Sequence, residues 1–187
     1  MNGTRQPPLL EQRGIELEKR LYEMRSRYLV LFLTLNYKPE HRGRITLDDL
    51  RRHRDQLLKN AQSNALLGGI KAYIWKIEEG GKAGLHLHFL VFYSGAYRGD
   101  VHIAKSIGEY WETTVTQGLG AYWSSNSTAS KERLAERGLP VGVGQVDRKD
   151  QQGREGVLQV IRYLAKPGQE IDGRPGHGRT FGMSLMP

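Results

Sequence analysis

The chain has 187 residues, a formal net charge of +8 and no cysteine. That length allows one compact domain with its own core, and the lack of cysteine excludes disulfides, thiolate zinc sites and thiol nucleophiles and fits a cytoplasmic location. The positive excess points to a polyanionic partner, nucleic acid above all, and no apolar run is long enough to cross a bilayer, so no membrane partner is expected.

Residues 1–13 are polar, carry Pro7 and Pro8, and read as a flexible N-terminus. From Gly14 to Arg27, charges interleave with Ile15, Leu17, Leu21 and Met24, the pattern of an amphipathic helix. Tyr28 to Tyr37 is a buried strand by its length and its branched and aromatic content, ended by Lys38-Pro39. Thr46 as N-cap, with Asp48 and Asp49 in the first turn, predicts a helix over 47–67 that stops at Gly68-Gly69. Two strands follow, Ile70 to Glu79 and Gly84 to Tyr93. The short loop Gly80-Gly81-Lys82-Ala83 joins them into a hairpin. Asp100 opens a helix through Ile103, Ile107, Tyr110 and Trp111. Residues 118–140 are mixed, with a short helix over 130–137, and 141–146 reads as a short strand. Val157, Val160, Ile161 and Leu164 mark the apolar face of a helix over 153–165. From Pro167 to 187, Gly, Pro and Arg dominate, and a loosely packed tail is expected after a single folded domain over 14–166. The element order predicts an α+β fold in which helices pack on a central, mainly antiparallel sheet.

The chemistry centres on His86-Leu87-His88. Side chains alternate along a strand, so the two imidazoles share one face while Leu85, Leu87 and Phe89 take the other. Two neutral imidazoles side by side are half of a divalent metal site. On the preceding strand Tyr73, Trp75 and Ile77 form the apolar side, opposite Ile74, Lys76 and Glu78. Glu78 therefore emerges beside the histidines as the third candidate ligand. Glu79 is its rival, because a bulge near the turn would exchange the faces. A mixed nitrogen and oxygen set with open positions suits Mn2+ or Mg2+ better than a closed structural zinc.

Tyr163 and Lys166 stand i, i+3 on the last predicted helix and would share a face. A tyrosine can attack a phosphodiester, but a pKa near 10 leaves about 0.1% phenolate at neutral pH. A cation such as Lys166, or a base, must help it. Thr34, Asn36 and Tyr37 end the first strand and are candidates to line a DNA site, as is Arg162 beside Tyr163. Arg44, Arg51, Arg52, Arg54 and Lys59 form a basic stretch that either follows phosphates or faces solvent. Trp123, among glycines and serines, is the best candidate to stack on an unpaired base, whereas Trp75 and Trp111 read as core.

Three segments in order carry a family resemblance. Phe32-Leu33-Thr34-Leu35-Asn36-Tyr37, then Trp75-Lys76-Ile77-Glu78 leading to His86-Leu87-His88, then Tyr163-Leu164-Ala165-Lys166 resemble the three motifs of Rep-type HUH endonucleases. Inovirus-type replication initiators related to the filamentous-phage gene-two protein are similar over further stretches: Ile107-Gly108-Glu109-Tyr110-Trp111, Gly118 to Trp123, and Arg179-Thr180-Phe181-Gly182. The resemblance runs from about residue 28 to 182 and implies an RRM-like palm, the nuclease domain then being residues 14–166. It implies that His86, His88 and Glu78 hold the metal. It also implies that Tyr163 is the nucleophile, forming a 5′-phosphotyrosine and releasing a 3′-hydroxyl, and that Lys166 assists at the phosphate. The activity implied is site-specific nicking and joining of single-stranded or hairpin DNA at the origin of a phage, plasmid or integrated element, which starts rolling-circle replication. No Gly-x-x-x-x-Gly-Lys-Ser/Thr occurs, so unwinding would fall to a host helicase. A single tyrosine on the motif helix leaves termination to a second protomer or to a second use of Tyr163. The rival readings are a single-tyrosine transposase of the same superfamily and a non-catalytic DNA-binding regulator with structural histidines.

Overall fold

The computed structural model describes residues 9–166 and 179–185. In chain order its elements are α1 (Leu9–Met24), β1 (Arg27–Tyr37), α2 (Leu47–Asn60), β2 (Ile70–Gly80), β3 (Gly84–Ser94), α3 (Asp100–Tyr110), β4 (Gly120–Ser124), α4 (Thr128–Glu136), β5 (Gly144–Asp147), α5 (Gln151–Ala165) and β6 (Phe181–Met183). The strands form one antiparallel sheet in the order β4-β1-β3-β2-β6, with β5 also on β1. The fold is the expected α+β arrangement, and no described helix is long and apolar enough to cross a membrane.

Alternation along the central strands builds two cores. Leu29, Leu31, Leu33 and Leu35 of β1 join Trp75, Ile77, Leu87, Phe89 and Val91 under α2 and α3. The intervening residues Tyr28 and Val30 join Ile74, Leu90 and Phe92 under α1 and α5, against Leu17, Leu21, Val157, Ile161 and Leu164. Burial on both faces explains why β1 and β3 read as nearly unbroken apolar runs. The second face changes character past Phe32 and Leu90. There Thr34, Asn36, His86, His88, Lys76 and Glu78 replace apolar side chains, at one end of the α1/α5 layer.

Several boundaries differ from the sequence reading. Helix α1 begins at Leu9, so residues 9–13 of the expected flexible segment are helical, and residues 1–8 lie outside the described residues. The α2 cap is as expected: Thr46 Oγ1 accepts from Asp49 N at 3.2 Å, and Thr46 N donates to Asp49 Oδ2 at 2.8 Å. The helix stops at Asn60 rather than 67, and Asn64 Oδ1 closes the following turn by accepting from Leu67 N at 3.0 Å. Strands β4 and β6 are additions to the expected elements, since each is too short to display a period of two. Strand β6 pairs Lys76 with Phe181 and Trp75 with Gly182, so the expectation of a loosely packed tail fails at its far end. Gly182 makes the pairing possible, because a Cβ there would sit 2.5 Å from the Trp75 ring. Residues 167–178, with His177, lie outside the described residues.

Strands β4 and β5 share one edge of β1 and leave a gap between them, which the fully buried Asn126 fills. Its Oδ1 accepts from Phe32 N at 2.9 Å, and its Nδ2 donates to Val30 O at 2.9 Å and Asp100 Oδ2 at 2.8 Å. An Asn126→Leu substitution takes the Asn126 partner from Phe32 N and Val30 O inside the fold and leaves Asp100 only Lys131, at 2.6 Å. It should cost about 3–5 kcal/mol, read from urea unfolding of the metal-free protein. A loss below about 1 kcal/mol would show that Asn126 does not hold this edge.

Candidate metal and nucleophile site

Strand register assembles the site. On the hairpin Glu78 pairs with His86 and Lys76 with His88. On β1 Thr34 pairs with His88 and, across the other edge, with Trp123. Directly paired residues share a face. One row therefore runs Trp123, Thr34, His88, Lys76, and the next brings Glu78 against His86. Glu79 pairs with Leu85 and points to the opposite face, because the register shift of this pair of strands lies far from the turn, between Ile70 and Ala72.

The three candidate ligands converge. Glu78 Oε2 lies 3.0 Å from His88 Nε2 and 3.8 Å from His86 Nε2, and the donor atoms of the group all lie within 4.8 Å of one another. The outer ring nitrogens are occupied. His86 Nδ1 is 2.9 Å from Gly84 O, and a carbonyl only accepts, so the proton sits on Nδ1 and the Nε2 lone pair faces the cluster. His88 Nδ1 is 3.2 Å from Thr34 Oγ1. A hydroxyl either donates or accepts, so His88 can turn Nε2 to Glu78 as a donor or offer it bare to a cation. Gly84 itself has φ 64° and ψ −157°, a region open essentially to glycine.

Burial pushes the His88 imidazole down to about 4, with His86 adding to the effect and Glu78 opposing it. The neutral form that ligates metals thus persists well below neutral pH. Burial raises the Glu78 carboxyl, but the Lys76 hydrogen bond and charge, with His88, outweigh it and leave Glu78 below the ordinary carboxylate range. Lys76 is itself buried, with Nζ 2.7 Å from Glu78 Oε1 and donating to Lys166 O at 2.6 Å. The sequence reading puts Lys76 on the correct face and assigns it no role. The clue available is a charged residue in mid-strand.

Helix α5 packs on the second core through Val157, Ile161 and Leu164, which sets Tyr163 over the histidine row. Its ring meets His88 edge-on, with centroids 5.6 Å apart, and it is 47% exposed. Burial and the Glu78 charge raise its phenol above the usual value, so these neighbours favour the protonated form. Lys166 is the C-cap of α5: its φ of −60° is still helical and its N–H donates to Arg162 O at 3.2 Å, while its ψ of 145° turns the following chain out of the helix, and its side chain is exposed.

The remaining candidates divide. Thr34 and Asn36 lie on the histidine face, and Asn36 Oδ1 is buried without a hydrogen-bond partner. Tyr37 must be corrected: one residue further along β1, it faces the α2/α3 core, is 1% exposed, and its Oη lies 2.8 Å from His53 Nδ1. Arg51 belongs to α2, against the opposite face of the sheet, 3.2 Å from Asp48, and is not brought to the cluster. Arg162 lies 2.7 Å from Glu155 and 3.6 Å from Glu11, engaged by acids rather than turned to the histidines. Trp75 and Trp111 are core, as expected, whereas Trp123 is half exposed.

Neither the curated proteins nor the solved structures contain a match to this chain. The family model for the replication-associated protein of the ORF2 and gene-two-protein type matches residues 30–167. That segment is well over half of the chain and runs from β1 to the end of α5, enclosing the Glu78, His86 and His88 group and Tyr163. With the match covering all of the sheet but β6 and the first residues of β1, and the cluster the sheet carries, the chain belongs to this family of replication-associated proteins.

Proposed function

We propose that the protein is a metal-dependent, site-specific endonuclease and ligase for single-stranded DNA that initiates rolling-circle replication of a phage, plasmid or integrated element. The observation that carries this reading is the edge-on contact of Tyr163 with His88, which joins a half-exposed phenol to the Glu78, His86 and His88 group. Two imidazole nitrogens and one carboxylate oxygen suit a divalent ion, Mn2+ or Mg2+, held by these three residues. The chemistry such an ion supplies is polarisation of a phosphate oxygen and neutralisation of charge on a departing 3′ oxygen.

Tyr163 Oη attacks the scissile phosphorus, a P–O bond to tyrosine forms, and the P–O3′ bond breaks. The phenol proton passes to solvent, to which the ring is open, and the 3′ oxygen leaves as a hydroxyl. Attack of a 3′-hydroxyl on the phosphotyrosine reverses the exchange and rejoins the strand without an outside energy source. Lys166, one residue past the helix, contacts the phosphate in this reading, and unpaired or hairpin origin DNA, opened by a separate helicase, is the substrate.

The test is incubation with single strands pooled from the protein's own replicon and Mn2+, followed by denaturing electrophoresis and peptide mapping. A denaturant-stable adduct on Tyr163 that requires metal is the expected product. Tight DNA binding with no adduct on any strand would favour a non-catalytic regulator instead.

Trp123 is the base-stacking candidate on this face. It is 50% exposed and lies in the row with Thr34 and His88. Trp123→Ala should weaken binding of single-stranded oligonucleotides by about 1–3 kcal/mol, measured by fluorescence anisotropy at fixed salt. Unchanged affinity would remove Trp123 from the DNA path.

A further inference from the structure

A lysine inside a sheet has an energetic cost unless its ammonium is fully engaged. Lys76 is 7% exposed, in the middle of β2, and its Nζ bridges two elements. On one side it lies 2.7 Å from Glu78 Oε1. On the other it donates at 2.6 Å to the backbone carbonyl of Lys166.

The first contact divides the carboxylate: Oε1 belongs to Lys76, and Oε2 faces the two imidazoles at 3.0 and 3.8 Å. The second falls at the C-terminal end of the tyrosine helix, where carbonyls lack intrahelical donors and the helix dipole is negative. The residue accepting it is three positions from Tyr163. One ammonium thus joins the carboxylate of the cluster to the end of the helix that carries the phenol.

We propose that Lys76 is a positioning residue that clamps the end of the tyrosine helix to the Glu78 carboxylate, at the expense of affinity for the metal. The proposal rests on reading the cluster as a metal site and Tyr163 as the nucleophile. Glu78 and Lys76 together are neutral, and a fixed cation beside the carboxylate repels a divalent ion. Removing it leaves one net negative charge and frees Oε1 as an additional ligand oxygen.

Lys76→Met therefore moves two quantities in opposite senses. Mn2+, titrated alone into the metal-free protein, should bind about tenfold more tightly or better. Adduct formation at saturating Mn2+ should slow by about tenfold or more, because the phenol is no longer held over the cluster. Backbone amide exchange over residues 162–166 of the metal-free protein should accelerate, a readout independent of catalysis. Lys76→Gln tests the same signs where the methionine variant folds poorly, and Lys76→Arg, which keeps the charge, should retain wild-type Mn2+ affinity.

A purely structural role would weaken metal binding and slow the reaction together. Unchanged or weaker Mn2+ binding in the neutral variants overturns the proposal, as does an unchanged adduct rate at saturating metal or a wild type that binds no Mn2+. If wild type forms no adduct on any strand while the affinity and exchange changes appear as stated, the nicking reading falls and the clamp stands.

Discussion

Tyr163→Phe is expected to abolish the covalent protein–DNA species, with a fall of about a thousandfold or more in single-turnover nicking. The substitution removes one oxygen and nothing else. The ring stays edge-on to His88, 5.6 Å between centroids, and α5 keeps its apolar contacts through Val157, Ile161 and Leu164. Because the side chain is half exposed, stability should change by less than about 0.5 kcal/mol. Mn2+ affinity and single-strand affinity should also hold, since neither depends on the phenol oxygen in this arrangement. A gel that resolves the adduct, run beside Mn2+ titration and thermal melts, separates these quantities. An adduct of undiminished yield in the variant would move the nucleophile elsewhere, and peptide mapping would identify it.

The double substitution His86→Ala, His88→Ala is expected to remove the divalent site while leaving a folded protein. Wild type in Mn2+ at about a hundred times its dissociation constant should gain about 2.7 kcal/mol of stability, and the variant should gain none. The metal-free variant should stay folded for a structural reason: Glu78 keeps its partner Lys76 at 2.7 Å, so no buried carboxylate is orphaned. What is lost is packing, including the stacking of His88 on Phe32, centroids 5.9 Å apart, together with the hydrogen bonds of the two rings to Gly84 O, Thr34 and Glu78. A cost of about 1–3 kcal/mol follows, which stabilisation by Asn126 and the two cores can absorb. A Mn2+-induced shift that survives in the variant would place the bound ion somewhere other than this cluster.

Between Glu78 and Glu79 the sequence does not decide, since a bulge near the turn would exchange the faces; the register, unshifted there, sets Glu78 with His86 and His88. The period of two along each hairpin strand is itself legible in the sequence. The same holds for the helix that carries Tyr163, whose apolar spacing marks its buried side. Tyr37 is misjudged when Thr34, Asn36 and Tyr37 are grouped as a strand end, because alternation sets Tyr37 with Leu33 and Leu35 against the α2/α3 core. Strands β4 and β6 escape a local reading because three to five residues do not display a period, and their pairing partners on β1 and β2 are remote in the chain.

Local chemistry thus determined the metal-ligand candidates, the hairpin and the α+β class, since each depends on backbone periodicity within a dozen residues. Tertiary structure alone decided two things: the contact of Tyr163 with His88 and the engagement of Lys76 by a carbonyl far along the chain. These depend on how α5 settles on the second core. That choice is made by shape and burial across distant segments, and no local pattern encodes it.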